Sequence, residues 1–137
     1  MGRVLVDTNV LIDVLQRDPV WFEWSVDQMA LHSMANELCI NAIIYAELAQ
    51  RFESRVQLDR VVSKLQLGCL ELDRDTLYVA SQAFAVYRSR AGSKSNVLAD
   101  FFIGAQALQK RCKLLTRDGK RYRTYFPSVE LISPAVN

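Results

Sequence analysis

Four acidic side chains lie in or beside apolar segments, where together they could bind a metal ion. Asp7 ends the first apolar run, and Asp118 follows another apolar run by two residues. Glu47 and Asp100 occur within apolar segments of helical character. Four carboxylates in one place repel one another and raise one another's pKa unless a cation joins them. Because oxygen ligands favour hard divalent ions, these acids predict a Mg²⁺ or Mn²⁺ site.

Each of the four acids also has a purely structural interpretation. Asp7 could cap the first helix, and Asp118 could belong to a turn. Glu47 could pair with Arg51 one helical turn later. Asp100 could be stabilised by the positive end of its helix dipole, although a carboxylate among so many apolar side chains needs a partner.

The other residues that could do chemistry are scarce. His32 is the only histidine, so a multi-histidine metal site is excluded and a Ser-His-Asp mechanism is disfavoured. The three cysteines, Cys39, Cys69 and Cys112, are far apart and predict buried, reduced thiols rather than a disulfide framework or a zinc site. If the protein is an enzyme, carboxylates must carry its reaction.

Length and composition predict one soluble domain over residues 1–137. Half of the 137 residues are hydrophobic, and only 5 Gly and 3 Pro interrupt the chain, which argues against disorder. Charges break every apolar run before the roughly 20 residues that a membrane span needs. No signal peptide is apparent at the start of the sequence, so a cytoplasmic protein with no membrane association is expected.

The elements that must position the acids are alternating strands and helices. Short apolar runs predict strands over residues 3–7, 37–41, 69–72, 113–116 and 129–132. Amphipathic or apolar segments predict a first helix capped at Thr8-Asn9 and further helices over residues 18–35, 42–52, 56–67, 73–90 and 97–111. The small, polar segment 92–96 predicts a flexible connection.

This alternation predicts an α/β fold of three layers, α/β/α, with a central, mainly parallel sheet of four to five strands. In such folds, ligands bind at the carboxyl ends of the strands. We therefore expect Asp7 and Asp118 to reach the same edge of the sheet.

A basic segment follows the fourth predicted strand. Between Lys110 and Arg123 there are seven basic residues and one acid, although the whole chain has a net charge of only +2. Such a segment is typical of a phosphate-binding surface, but it could equally be a solvated helix end and loop.

Four segments together resemble the motifs of PIN-domain ribonucleases, and most closely those of VapC-type toxins of bacterial toxin–antitoxin pairs. They are VLVDTNVLID (residues 4–13), AIIYAEL (42–48), LADFFIGAQA (98–107) and LLTRD (114–118). The resemblance extends over essentially the whole chain, with the segments in the family's order.

The resemblance implies roles for particular residues. It implies metal binding and catalysis by Asp7, Glu47, Asp100 and Asp118. Thr8 and Thr116 would orient a carboxylate or a metal-bound water, and Asn9 would support the turn. Asn96 would stand, as a neutral group, where some relatives carry an additional acid, so either one or two metal ions are expected.

The resemblance implies metal-assisted hydrolysis of phosphodiester bonds in single-stranded RNA that leaves a 5′-phosphate, and a bound divalent ion supplies the chemistry for such a reaction. The basic segment would bind the RNA, with Tyr122 and Tyr125 available for base stacking. The RNA-binding residues expected there are Arg117, Lys120, Arg121 and Arg123. An antitoxin protein partner and a homodimer formed through apolar helices of the first half are also implied.

Three alternatives remain at this stage. A haloacid-dehalogenase-type phosphatase also starts with an aspartate after its first strand, but Asn9 stands where that family needs a second aspartate. A non-toxin PIN nuclease in RNA processing and a non-catalytic binding module fit the same motifs.

The aromatic residues Trp21, Phe22 and Trp24 could pack in the core or form a groove for a partner.

Overall fold

A parallel β-sheet lies at the centre of the fold, in a computed structural model that describes residues 2–90, 92 and 97–135. Its five strands are β1 (Gly2–Val6), β2 (Asn36–Asn41), β3 (Gly68–Leu70), β4 (Lys113–Leu115) and β5 (Leu131–Ile132). Their order is β3-β2-β1-β4-β5, and every neighbouring pair is parallel. The predicted α/β fold with a parallel sheet is confirmed.

Helices connect the strands. Within the described residues they are α1 (Thr8–Gln16), α2 (Phe22–Ser33), α3 (Ala42–Ala49), α4 (Arg55–Lys64), α5 (Arg74–Ser89), α6 (Leu98–Gln109) and α7 (Lys120–Tyr125). Val4, Leu5 and Val6 in β1 are all fully buried. Because successive side chains of a strand point to opposite faces, both faces of the sheet are covered at β1.

An aromatic cluster joins the last three helices. Phe101 of α6 lies 5.3 Å from Phe84 of α5 and 5.3 Å from Tyr125 of α7, between ring centroids. Tyr87 of α5 is 5.9 Å from Tyr125. Edge-to-face and tilted pairs of this kind add to the stability that apolar burial provides. The cluster therefore fixes α7 against α5 and α6.

Three local predictions differ from the structure. The cap predicted at Thr8-Asn9 is wrong, and the alternative that Asp7 caps α1 is confirmed, since its carboxylate accepts a hydrogen bond from the Thr8 backbone amide. The second helix begins at Phe22 rather than at residue 18, because Asp18 accepts from the Val20 and Trp21 amides and holds a turn there instead. The basic turn predicted after β4 contains a helix, α7.

Other expectations are met in part or are not covered. Cys39 and Cys112 are buried free thiols as predicted, whereas Cys69 is exposed. Asn96 and most of the segment 92–96 lie outside the described residues. In the part of the chain that the structure describes, no helix combines the length and apolarity that crossing a bilayer requires.

Candidate metal centre

Asp7 lies at the carboxyl edge of the sheet, directly after its central strand. Its backbone amide donates to the carbonyl of Leu115, so the hydrogen bonding between β1 and β4 continues to this residue. Thr116 directly follows β4, and its hydroxyl donates to the Asp7 carboxylate at 2.8 Å. The parallel pairing of two strands therefore brings together residues that are 109 positions apart.

Three donors hold the Asp7 carboxylate, which is only 5% exposed. One oxygen accepts from the Thr8 amide at 2.8 Å; the other accepts from Thr116 and, at 3.0 Å, from the hydroxyl of Tyr122. Burial raises the pKa of Asp7 to about 6, and the charge of Asp100 adds to this increase while the hydrogen bonds oppose it. A carboxylate desolvated in this way is stabilised by any cation that reaches it.

Glu47 reaches the same edge from α3. The Asn41 side chain at the end of β2 accepts from the Ile44 amide at 2.9 Å and thereby starts that helix. Glu47 is half-buried in α3, and its carboxylate accepts from the Thr8 hydroxyl at 2.7 Å. It is therefore directed towards the start of α1.

Asp100 and Asp118 complete the set of predicted acids. Asp100 lies in the first turn of α6, and Arg121 donates to its carboxylate at 2.5 Å. Burial raises the pKa of Asp100, as does the nearby charge of Asp118, whereas the Arg121 guanidinium lowers it. Asp118 is exposed, and its backbone amide donates to the Thr116 hydroxyl at 3.2 Å.

All four acids line one cavity of about 240 Å³, which we call the acidic cavity. Its lining residues are Asp7, Thr8, Asn9, Ile12, Glu47, Asp100, Asp118 and Tyr122. Residues from four separate segments of the chain thus converge at the carboxyl edge of the sheet, as expected for a parallel α/β fold. Their roles in metal binding and catalysis stay predictions.

The comparisons with known proteins identify the family. The sequence model of the PIN domain matches residues 4–127, which includes all four acids. The chain belongs to the PIN-domain family. No curated protein was found to be similar to it by sequence. Membership decides against the phosphatase alternative.

Several solved structures have a fold similar to that of this chain. A chain in the structure of VapBC2 from Rickettsia felis, bound to a DNA fragment from their promoter, has a TM-score of 0.74 at 16% identity, with 97% of this chain and 99% of that chain covered. For VapBC-1 from nontypeable Haemophilus influenzae, the TM-score is 0.72 at 18% identity, with 96% and 97% covered. The PIN domain endonuclease Utp24 gives 0.55 at 21% identity, with 98% and 86% covered.

PIN domains are nucleases that generally use divalent metals, and the donor chemistry of this PIN domain fits such an ion. Carboxylate oxygens are the ligands that Mg²⁺ and Mn²⁺ prefer. As the side chains stand, however, no group of three or more His, Cys, Asp and Glu residues among those described is arranged to hold a metal. The carboxylates of Asp7, Glu47 and Asp100 instead accept hydrogen bonds from protein donors, Asp100 from the Arg121 guanidinium. A metal that binds this oxygen of Asp100, Oδ2, would therefore have to displace Arg121.

Asn9 and Thr116 connect the two segments of the PIN domain that carry Asp7 and Asp118. The Asn9 amide donates to the Thr116 hydroxyl at 3.3 Å, and its carbonyl accepts from the Arg117 backbone amide at 3.2 Å. Asn9 thus ties the start of α1 to the loop after β4. Its supporting role in the site stays a prediction.

Two contacts were missed from the sequence. Tyr122 was expected to stack on a base, but it is 1% exposed and its hydroxyl donates to Asp7, so that interpretation is wrong. Asp13 is fully enclosed and accepts from Ser25 and, through two bonds of 2.8 and 3.0 Å, from the Arg117 guanidinium. The position of Asp13 among the apolar residues of α1 was the available signal, since a carboxylate there needs a partner.

The four basic residues expected to bind RNA differ in their surroundings. Arg117 is held by Asp13 and lies over the Trp21 ring at 5.7 Å, so its guanidinium is engaged within the PIN domain. Lys120 and Arg123 are exposed on α7, and Arg121 is half-buried against Asp100. RNA binding by any of the four remains a prediction.

Proposed function

We propose that this PIN domain is a metal-dependent endoribonuclease that hydrolyses phosphodiester bonds in single-stranded RNA, and that it is the toxin of a toxin–antitoxin pair. The observation that carries the proposal is the acidic cavity, in which Asp7, Glu47, Asp100 and Asp118 come together. A buried carboxylate with a raised pKa beside three further acids is poorly stabilised without a cation. Family membership adds the nuclease reaction class.

One or two Mg²⁺ or Mn²⁺ ions would be held by these four acids. A bound ion supplies Lewis acidity, which stabilises negative charge on the phosphate and makes water a stronger nucleophile. The protein's part is to hold the carboxylates in place: Thr116 and Tyr122 fix Asp7, and Thr8 fixes Glu47. Arg121, once released from Asp100, lies close enough to this centre to bind a phosphate oxygen.

RNA cleavage by the purified chain tests the proposal. A labelled single-stranded RNA should be cut in Mg²⁺ or Mn²⁺, remain intact in excess EDTA, and be cut again when metal is restored. Asp100→Asn should lower the rate by at least about 100-fold because it removes a ligand charge. Asp27→Asn, at an exposed acid of α2, is the matched control and should keep the wild-type rate. Equal cleavage in EDTA, or by Asp100→Asn, contradicts the mechanism.

The toxin role and the antitoxin partner are supported by the similarity in fold to chains of VapBC complexes. Expression of the chain alone should arrest growth, and co-expression with a small protein encoded beside it should restore growth and yield a complex of the two. The homodimer is tested by light scattering of the purified chain.

The alternative to a toxin is a non-toxin PIN nuclease in RNA processing, the kind of role that the fold similarity to Utp24 suggests. RNA cleavage without growth arrest, and without a neighbouring partner, would favour it.

A non-catalytic binding module is the remaining alternative. It predicts RNA or protein binding without any metal-dependent cleavage, so the same cleavage assay distinguishes it from the nuclease.

A further inference from the structure

We propose that a second cavity, beside the acidic cavity, binds one nucleotide next to the RNA bond that is cleaved, with its base against tyrosine rings and its phosphate on Lys120 and Arg121. This inference rests on the proposed nuclease function. The cavity has a volume of about 350 Å³, and we call it the tyrosine cavity. Its lining residues are Tyr87, Asp118, Lys120, Arg121, Thr124 and Tyr125.

Two residues show that the tyrosine cavity adjoins the acidic cavity. Asp118 lines both cavities. Arg121 lines the tyrosine cavity while its guanidinium donates at 2.5 Å to Asp100 in the acidic cavity. A nucleotide in the tyrosine cavity would therefore place its neighbouring phosphate beside the candidate metal centre.

Helix α7 presents the polar side of the tyrosine cavity. Lys120 and Thr124 are four residues apart, as are Arg121 and Tyr125, so all four lie on adjoining faces of one helix. Tyr122 of the same helix is turned the other way and donates to Asp7. A single short helix thus serves both cavities.

The aromatic side of the tyrosine cavity is firmly supported. Tyr87 and Tyr125 are half-buried, and their ring centroids lie 5.9 Å apart at an interplanar angle of 77°. Behind them, the fully buried Phe101 is 5.5 Å from Tyr87 and 5.3 Å from Tyr125. Base–aromatic stacking is strong and tolerates any base, because every base has a π-face. Two supported rings beside a cleavage site fit an unpaired base.

Guanidinium groups border these rings and match the phosphates of RNA. Arg121 lies 5.9 Å above the Tyr87 ring, and the exposed Arg90 lies 5.8 Å above Tyr125. Because Arg90 is exposed, a base can displace it from the ring, and its guanidinium plane is itself a stacking surface for RNA bases. Lys120 is exposed at the mouth of the cavity, where a phosphate gains charge-assisted hydrogen bonds.

Binding of a labelled 12-nucleotide single-stranded RNA in EDTA, measured by fluorescence anisotropy, tests this cavity without relying on cleavage. Tyr125→Leu should weaken binding about tenfold, since removing one stacking partner typically has an effect of this size. Tyr125→Phe should bind like the wild type, because it keeps the ring. Tyr78→Leu, at an exposed tyrosine of α5, is the matched control and should change nothing.

The contribution of Lys120 is tested separately, by the salt dependence of RNA binding. Lys120→Ala should weaken binding and reduce the slope of log K against log salt by about 0.7, as expected for one lost phosphate contact to a single strand. Lys64→Ala, at an exposed lysine of α4, should leave the slope unchanged. Wild-type affinity and slope for both Tyr125→Leu and Lys120→Ala would overturn the proposal.

A substrate-side measurement keeps the proposal testable even if Tyr125→Leu fails to fold. A single abasic position is moved along an RNA that the wild-type protein cleaves, and KM is measured for each RNA. The abasic position next to the cleaved bond should raise KM about tenfold, and equal KM values at all positions would overturn the cavity's role.

If polyglutamate, rather than RNA, binds in a manner that depends on Lys120 and Tyr125, the cavity is a protein-binding site and the proposal is wrong.

The two proposals fail in different ways. Tyr125-dependent RNA binding without any metal-dependent cleavage contradicts the nuclease function and also this cavity's place beside a cleaved bond. Metal-dependent cleavage with unchanged RNA binding by the Tyr125 and Lys120 variants overturns the tyrosine cavity alone.

Discussion

Asp7 is the residue on which the candidate metal centre depends most. It is the most buried of the four acids, and it is fixed by the Thr8 amide, Thr116 and Tyr122. Such a carboxylate is well positioned for a cation but lowers the stability of the folded chain when no cation is present, because its charge is desolvated. Function and stability therefore oppose each other at this residue.

Asp7→Asn should stabilise the chain in EDTA at neutral pH. The pKa of Asp7 rises from 3.8 to about 6 on folding, so the folded state binds this proton more tightly than the unfolded state does. The wild-type chain consequently loses stability as the pH rises from about 4 to 6, by on the order of 3 kcal/mol, and the loss persists above pH 6.

Urea unfolding of the wild type and Asp7→Asn, in EDTA at pH 7.5 and at pH 4, measures this effect. The variant should be more stable at pH 7.5, and the difference should shrink towards zero at pH 4. A variant that is less stable at pH 7.5, or a difference that does not depend on pH, would show that desolvation does not dominate at Asp7.

Residue type and local setting were enough to single out the four acids that line the acidic cavity: Asp7 and Asp118 follow strand ends, whereas Glu47 and Asp100 lie in apolar helices. The contacts of Tyr122 and Arg117 were not predictable in the same way. A tyrosine and an arginine in a basic segment are typical of an RNA surface, whereas here Tyr122 donates to Asp7 and Arg117 pairs with the buried Asp13. Both partners lie more than 100 positions away along the chain, which no local pattern reveals.

At the scale of elements, the packing of α6 against α7 determines where Tyr122 and Arg121 lie. Gly104 of α6 permits this packing, since a Cβ atom there would lie 2.4 Å from the ring of Phe126, which is almost fully buried directly after α7. Helix propensity alone would favour alanine over glycine at this position.

Gly104→Ala should therefore destabilise the chain and lower metal-dependent cleavage together, because α7 has to shift and carries Tyr122 and Arg121 with it. We expect a loss of about 1–3 kcal/mol, the usual range for overpacking. Gly119→Ala is the comparison. Its Cβ would meet the end of the exposed Arg123 side chain and, at 3.2 Å, a methyl group of Leu131, both of which can move, so its effect on stability should be smaller. For each of the two variants, thermal unfolding measures the change in stability, and the rate of metal-dependent RNA cleavage measures the change in activity. An unchanged or raised stability of Gly104→Ala would contradict the packing described here.

Most elements were predictable because their patterns are long enough to be recognised. The helices around Glu47 and Asp100 have apolar faces of two turns or more, and the valine- and leucine-rich run at residues 3–7 is typical of a buried strand. Helix α7 was missed because it has only six residues, and its two tyrosines, Tyr122 and Tyr125, have helical spacing but are too few to establish a repeating pattern.

For the whole molecule, the order β3-β2-β1-β4-β5 is what assembles the site. It puts β1 between β2 and β4, so that Asp7, the helix carrying Glu47 and the loop carrying Asp118 meet at one edge. Alternation of strands and helices predicted parallel pairing and this shared edge. The strand order itself could not be read from local patterns, because it depends on which strands bury their apolar faces side by side.

The central claim is that these four acids form one divalent-metal site. Anomalous scattering from crystals of the wild-type chain grown with Mn²⁺ tests it most directly. We expect a manganese peak in the acidic cavity, with carboxylate oxygens of Asp7 and Asp100 around it, Arg121 moved off Asp100, and loss of the peak in Asp100→Asn. Crystals in which Mn²⁺ is absent from this cavity, with Arg121 still bound to Asp100 at saturating metal, would contradict the account.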